Sequence, residues 1–196
     1  KISNFKINYL PLILFLVSAS WTPLFIKWHF LLKNCEIHVP LKKSILVFLS
    51  GPAFEITPGQ IGALVKSQIL KTSSNIPRTK TVPIIVVEKV YDLIGAVLAS
   101  IIGIVILGME PYLIITAILV LVTIFFFVYY RPASEIFFKQ ITKRKFFSKY
   151  VENISDFYEI VHKSTNVKVA TICILLALTY WFMVSAAAYY TLIAFD

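Results

Sequence analysis

Two acids stand in the part of the chain where hydrocarbon contact is expected. Glu88 and Asp92 lie inside the long apolar run 82–107, and a charge at membrane depth is costly unless it meets a partner, a proton or a water-filled cavity. They are four residues apart and therefore share one face of a helix. Gly95, Ala99 and Gly103 continue that face at spacings of three and four, the pattern by which membrane helices pack closely. The acids are thus expected to point into the protein rather than into lipid. Two roles fit them: lining a polar cavity, or anchoring helices by pairing with Lys66 or Lys89. Lys89 lies about a third of a turn from Glu88, and can pair with another acid or extend toward the membrane surface.

A second constellation is Thr57, Pro58, Gly59. Thr57 is a good helix N-cap, Pro58 suits the first helical position, and Gln60 completes a capping box three residues after the threonine. A helix is expected to start here, with free N–H groups and partial positive charge at its first turn. Gly59 and Gly62 allow close approach, and Lys66, one turn further on, adds a full positive charge. Such a terminus at membrane depth suits an anionic head group or phosphate. The competing reading is a glycine and proline kink that only packs; Glu55, beside the break, is harder to assign to packing.

The elements that must position these residues follow from hydropathy. A membrane helix needs about 20 mostly apolar residues, and the runs 9–26, 82–107, 111–130 and 167–195 meet that length. The link Gly108, Met109, Glu110 is short enough for a tight hairpin only. Lys71, Arg78 and Lys80 precede one side of that hairpin, while Arg131, Lys139, Lys143, Arg144, Lys145 and Lys149 follow the other. Basic connections favour the cytoplasm, so 71–81 and 131–166 are expected there, with Glu110 outside. The same logic places Lys27, Lys33, Lys42 and Lys43 in the cytoplasm. The stretch 44–70 must then enter the membrane and return. Each half, about 13 residues or about 20 Å of helix, falls short of a hydrocarbon core of about 30 Å, so a re-entrant helical hairpin broken at Thr57, Pro58 and Gly59 is expected. In 131–166, Phe147, Val151, Ile154, Tyr158 and Val161 recur at helical spacing, which reads as an amphipathic helix on the membrane surface or a linker helix packed on its neighbours.

Composition agrees: 58% of the 196 residues are hydrophobic and only 15% charged, outside the range of ordinary soluble domains. The fold class expected is an all-α integral membrane helical bundle, 1–196 forming one domain. The chain begins with Lys1 and ends just after an apolar run, so a longer native chain is expected at one or both ends. Its net charge of +9 fits basic loops beside anionic lipid better than a nucleic acid partner. Cys35 and Cys173 are far apart in sequence and support neither a disulfide framework nor a zinc site. His29, His38 and His162 fall in connections without metal-ligand spacing. Ser50 and Gly51 lack the preceding glycine and the intramembrane histidine of a serine protease. No phosphate-loop or dinucleotide motif is present, and neither a cofactor nor a metal is expected. Tyr9, Trp21, Tyr129, Tyr130, Tyr180 and Trp181 include interfacial aromatics. The first apolar run lacks a cleavage pattern and reads as a retained span.

The run Ser50, Gly51, Pro52, Ala53, Phe54, Glu55, Ile56, Thr57, Pro58, Gly59, Gln60, Ile61, Gly62, followed by Lys66, Pro77 and then Val87, Glu88, Lys89, Val90, Tyr91, Asp92, resembles the flippase-like membrane family named for the transmembrane region of lysylphosphatidylglycerol synthase, its archaeal branch above all. The resemblance implies translocation of a phospholipid or polyprenyl-linked head group. It would give functional weight to Thr57, Pro58, Gly59, Gly62, Lys66, Glu88 and Asp92; Glu55 beside the break, Gln60 of the capping box and Lys89 beside Glu88 are accessory candidates from their positions alone. It also implies membrane lipids as partners, together with a lipid-modifying enzyme or glycosyltransferase. Two positions depart from the family pattern: Ala63 stands where an acid is expected, and Lys89 where an Arg commonly follows the span acid, which forgoes bidentate anion binding. Two other functions fit the same residues. One is a membrane enzyme or enzyme subunit that transfers a group to a polyprenyl phosphate or phospholipid, with Glu88 or Asp92 as general base or metal ligand. The other is a non-catalytic membrane scaffold.

Overall fold

A computed structural model of the chain describes residues 5–54, 63–108, 110–129 and 160–195. A 3-10 turn, Ile7–Tyr9, leads into α1 (Leu10–Asn34), followed by α2 (Leu41–Phe54), α3 (Ala63–Ser74), α4 (Arg78–Ile106), α5 (Pro111–Tyr129) and α6 (Val167–Phe195). No strand occurs among the described residues.

Proline and left-handed residues mark where helices begin and end. Pro11 sits in the first turn of α1, where its missing N–H is no loss. At the other end, Glu36 takes a φ of 60°, the Ile37 N–H donates to the Leu32 carbonyl at 2.9 Å, and the Glu36 N–H to that of Lys33 at 3.1 Å. These two bonds satisfy carbonyls that the helix end would otherwise leave open. Asn75, with a φ of 55°, turns the chain out of α3, and Pro77 in extended conformation starts α4.

α1 and α6 lie antiparallel along their length. At one end the Lys6 N–H donates to the Ala194 carbonyl at 2.8 Å and the rings of Phe5 and Phe195 meet edge-on at 5.1 Å. At the other, the Asn34 side-chain amide donates to the Lys163 carbonyl at 2.9 Å. α4 packs on α6, and α5 on α4. α2 and α3 form an antiparallel pair: the Lys43 ammonium donates to the Ser73 carbonyl, and further along, Gly51 lies against Lys66. This pair docks on α4 through the Ser67 and Thr81 hydroxyls, 2.6 Å apart, and on α1 through Phe25 and Phe48, whose rings are 5.6 Å apart.

Ile7–Asn34, Arg78–Ile106 and Val167–Phe195 are long and apolar enough to cross a membrane. The described parts of α2 and α3, 14 and 12 residues, are about 21 and 18 Å long, each less than a core of about 30 Å. The interior holds Trp28, Leu31, Leu32, Val47, Phe48, Leu70, Ile84, Ile85, Val87, Tyr91, Ile94 and Cys173. Leu14, Phe15, Ile106, Leu107 and Leu192 point outward, an apolar exterior that suits lipid and not water. The molecule is an all-α membrane helical bundle. The expected break at Thr57, Pro58 and Gly59, and 131–159 of the amphipathic segment, lie outside the described residues.

Two expectations are corrected here. Lys27 is not in a connection: α1 runs on through Trp28, Phe30, Leu31 and Leu32, and Lys27 is fully buried within it. His29 is likewise inside α1, its Nδ1 3.0 Å from the Ser44 hydroxyl of α2. The apolar residues after Lys27 keep the helix going, and the lysine stays inside because an acid waits for it.

Candidate functional site

α4 repeats buried residues at Ile84, Val87, Glu88, Tyr91, Ile94 and Gly95, a helical stripe that turns both acids toward neighbouring helices. Each meets a lysine, and each lysine comes from a different helix. The Lys66 ammonium of α3 lies 3.1 Å from both oxygens of the Glu88 carboxylate, with both side chains 3% exposed. The Lys27 ammonium of α1 donates to Oδ1 of Asp92, with the lysine fully buried and the aspartate one-fifth exposed. One face of α4 thereby holds α1 and α3 together. Removing a charge from water costs several kcal/mol, so these four groups persist inside the bundle because each has its counter-ion. Lys27 lies about two turns before the end of α1, Glu88 about three turns into α4 and Asp92 about four, or about 10, 15 and 21 Å along the helix from those ends.

Aromatic rings and small residues complete the arrangement. The Lys66 ammonium sits 4.7 Å from the centre of the fully buried Trp28 ring and 5.1 Å from that of Phe48, within the range of cation–π attraction. Gly51 makes room for the lysine stem: a Cβ there would stand 2.5 Å from Lys66 Cε. The Trp181 indole of α6 donates to the Asp92 backbone carbonyl at 3.0 Å. Gly95 brings α4 onto α6 so closely that a Cβ would stand 2.6 Å from that of Ala177. The Tyr91 hydroxyl donates to the Ser164 carbonyl at 2.7 Å.

Of the residues singled out from the sequence, Lys66, Glu88 and Asp92 come together. Lys89 is half-buried beside them on α4. Glu55, Thr57, Pro58, Gly59, Gln60 and Gly62 lie outside the described residues. The close-packing face holds at Gly95, whereas Gly103 has no atom within 4 Å of where its Cβ would be. Lys27 and Trp28 were missed. Their signal was available: Ser20, Pro23, Lys27 and Leu31 recur at spacings of three and four on one buried face of α1, so Lys27 is a charge in an apolar stripe, as the two acids are. Trp181, expected among the interfacial aromatics, is half-buried and bonds within the bundle.

A separate cavity of about 420 Å³ opens where α1 ends and α6 begins, lined by Asn34, Glu36, His162, Lys163 and Asn166. The Lys163 ammonium there is 3.8 Å from Glu36, and the Asn166 side-chain oxygen accepts the backbone N–H of Lys168 at 3.1 Å. Close by, burial pushes the Cys35 thiol up from its ordinary value, opposed by its contact with the Ser164 hydroxyl. No group of three or more metal-ligating side chains forms among the described residues.

Long apolar helices with lysine–carboxylate pairs buried between them define an α-helical membrane protein whose interior is polar at one level. The family model described as the lysylphosphatidylglycerol synthase TM region matches residues 1–196, and the chain belongs to that family. No curated protein sequence and no solved structure matches it.

Proposed function

We propose that the protein is a flippase-like lipid transporter. It binds the head group of an anionic phospholipid or a polyprenyl-phosphate-linked glycolipid and moves it across the cell membrane while the tails stay in lipid. The observation that carries this reading is the pair of ion pairs, Lys66 with Glu88 and Lys27 with Asp92, placed where α1 and α3 meet α4. A buried ion pair stabilises a fold no more than apolar residues of the same volume would, so stability alone does not account for two of them side by side. Lys66, near the helix start expected at Thr57, is suited to hold the head group, and Glu88 and Asp92 to line its path. Loops 71–81 and 131–166 would face the cytoplasm, with a lipid-modifying enzyme or glycosyltransferase as the natural neighbour.

The test is reconstitution into vesicles with labelled head-group lipids. Glu88→Gln, Asp92→Asn and Lys66→Ala should each slow transfer at least tenfold; transfer at the parent rate in all three would end the proposal. The completeness of the pairing favours one competing reading, in which the four residues only brace the bundle. Replacing a pair as a unit, Lys66→Met with Glu88→Leu, separates the two: a brace tolerates the exchange and transfer continues, whereas a transport site loses it.

A further inference from the structure

Trp28 belongs to the core, its ring is fully buried, and its Nε1–H has no hydrogen-bond partner. An unmade hydrogen bond at a buried donor is costly and uncommon. The same ring carries the Lys66 ammonium on its face, 4.7 Å from its centre. An unsatisfied neutral donor thus stands beside a cation whose acceptor is Glu88, and an anion placed between the two would serve both.

The geometry points to an oxyanion site between the Lys66 ammonium and the Trp28 indole N–H, in which the Glu88 carboxylate is the resident anion and a phosphate oxyanion of a head group takes its place. This inference rests on the reading that an anionic head group is handled on this face of α4, and it names the donors and the competitor. Two features support exchange. The ammonium has three donors, of which Glu88 takes two. The Trp28 and Phe48 rings keep the cation in place while its anion changes. The displaced carboxylate remains on the α4 face that carries Asp92 and its partner Lys27.

The sign of one substitution separates this site from a passive polar wall. If Glu88 competes with the ligand for Lys66, Glu88→Gln tightens anion binding; if Glu88 merely helps to line the cavity, it does not. Purified full-length chain in detergent would be titrated with three probes: short-chain phosphatidylglycerol, a short polyprenyl phosphate and inorganic phosphate. Glu88→Gln is expected to bind the phosphate-bearing probes about tenfold more tightly than the parent. Trp28→Phe, which keeps an aromatic face for Lys66 but removes the N–H, should bind them about tenfold more weakly, the loss of one hydrogen bond to a charged group. Tightening confined to the two lipids assigns the site to a head group; tightening that includes inorganic phosphate assigns it to phosphate oxyanions generally, and both support it. Unchanged or weaker binding by Glu88→Gln overturns it. Should Trp28→Phe fail to fold, the indole N–H proton resonance of the parent gives the answer: a downfield move on saturation supports the site, and an unmoved resonance overturns it. Binding in detergent requires no transport. A parent protein that binds in this pattern but moves no lipid would sink only the transport reading, and one that moves lipid without the pattern would sink only this site.

Discussion

At the scale of single residues, the cost of a buried charge depends on what is left behind when its partner goes. Lys27 is fully enclosed and donates to Asp92, so Lys27→Met leaves a carboxylate without its cation, and Asp92→Asn leaves an ammonium without its anion. Breaking a buried pair from one side costs about 3–5 kcal/mol, whereas replacing both partners with apolar residues of similar volume is close to neutral. Thermal unfolding in detergent should therefore show both single variants well below the parent, and Lys27→Met with Asp92→Leu back near it. If the double variant is as unstable as the sum of the singles, Lys27 and Asp92 do not depend on each other. Gly51 makes a second residue-scale case. Its missing Cβ leaves space for a lysine stem whose far end is held by Glu88 and two rings. Gly51→Val should displace the Lys66 ammonium and destabilise by about 1–3 kcal/mol, as overpacking does, and in a Lys66→Ala background the same change should cost much less.

Between helices, α4 is the hub, and its contact with α6 is set by a different chemistry from its contacts with α1 and α3. Gly95 lies against Ala177 with no room for a methyl, so Gly95→Leu should force α4 and α6 apart and cost about 1–3 kcal/mol or more. Gly103, eight residues on in the same helix, has open space where a Cβ would be. There Gly103→Ala should be neutral or stabilising by about 0.5–1 kcal/mol, through helix propensity alone. A loss at Gly103 equal to that at Gly95 would mean that both positions pack. This contrast also shows how far the sequence could be read. Apolar length marked out the long helices, and the four-residue spacing of Glu88 and Asp92 turned them inward, because both signals are local and periodic. Spacing could equally enlist Gly103, since which part of a small-residue stripe meets a neighbour depends on where that neighbour ends. Lys27 was misread for a related reason. Basic residues near the end of an apolar run usually mark the membrane surface, and only the acid brought in by α4 shows that this one is inside. The partner of Asp92 is sixty-five residues away in the chain, beyond any periodic signal.

For the whole molecule, the distribution of charge makes a statement about sidedness. Lys42, Lys71, Arg78 and Lys80 gather at the end of the bundle where α2 begins, α3 ends and α4 begins, an end held together by the Lys43–Ser73 and Ser67–Thr81 contacts. Glu110 follows α4 at its far end, and the 29 residues of that helix span about 44 Å. Cysteines placed at Lys42, Lys80 and Glu110, all exposed positions, should react with a membrane-impermeant maleimide from two different sides: the first two from the cytoplasmic face, as the basic-loop rule demands, and the third from outside. The native thiols interfere little with this measurement. Cys173 is fully buried, and burial raises the Cys35 thiol above its ordinary value, so at neutral pH less of it is thiolate, the reactive form, than of a free cysteine. The sign follows directly: Cys35 should label slowly at pH 7 and faster as pH rises toward its raised value, while Lys80→Cys, in open solvent, labels promptly at pH 7. Prompt labelling of Lys80→Cys and Glu110→Cys from the same side would remove α4 as a membrane-crossing helix, and with it the buried setting that gives Glu88 and Asp92 their meaning.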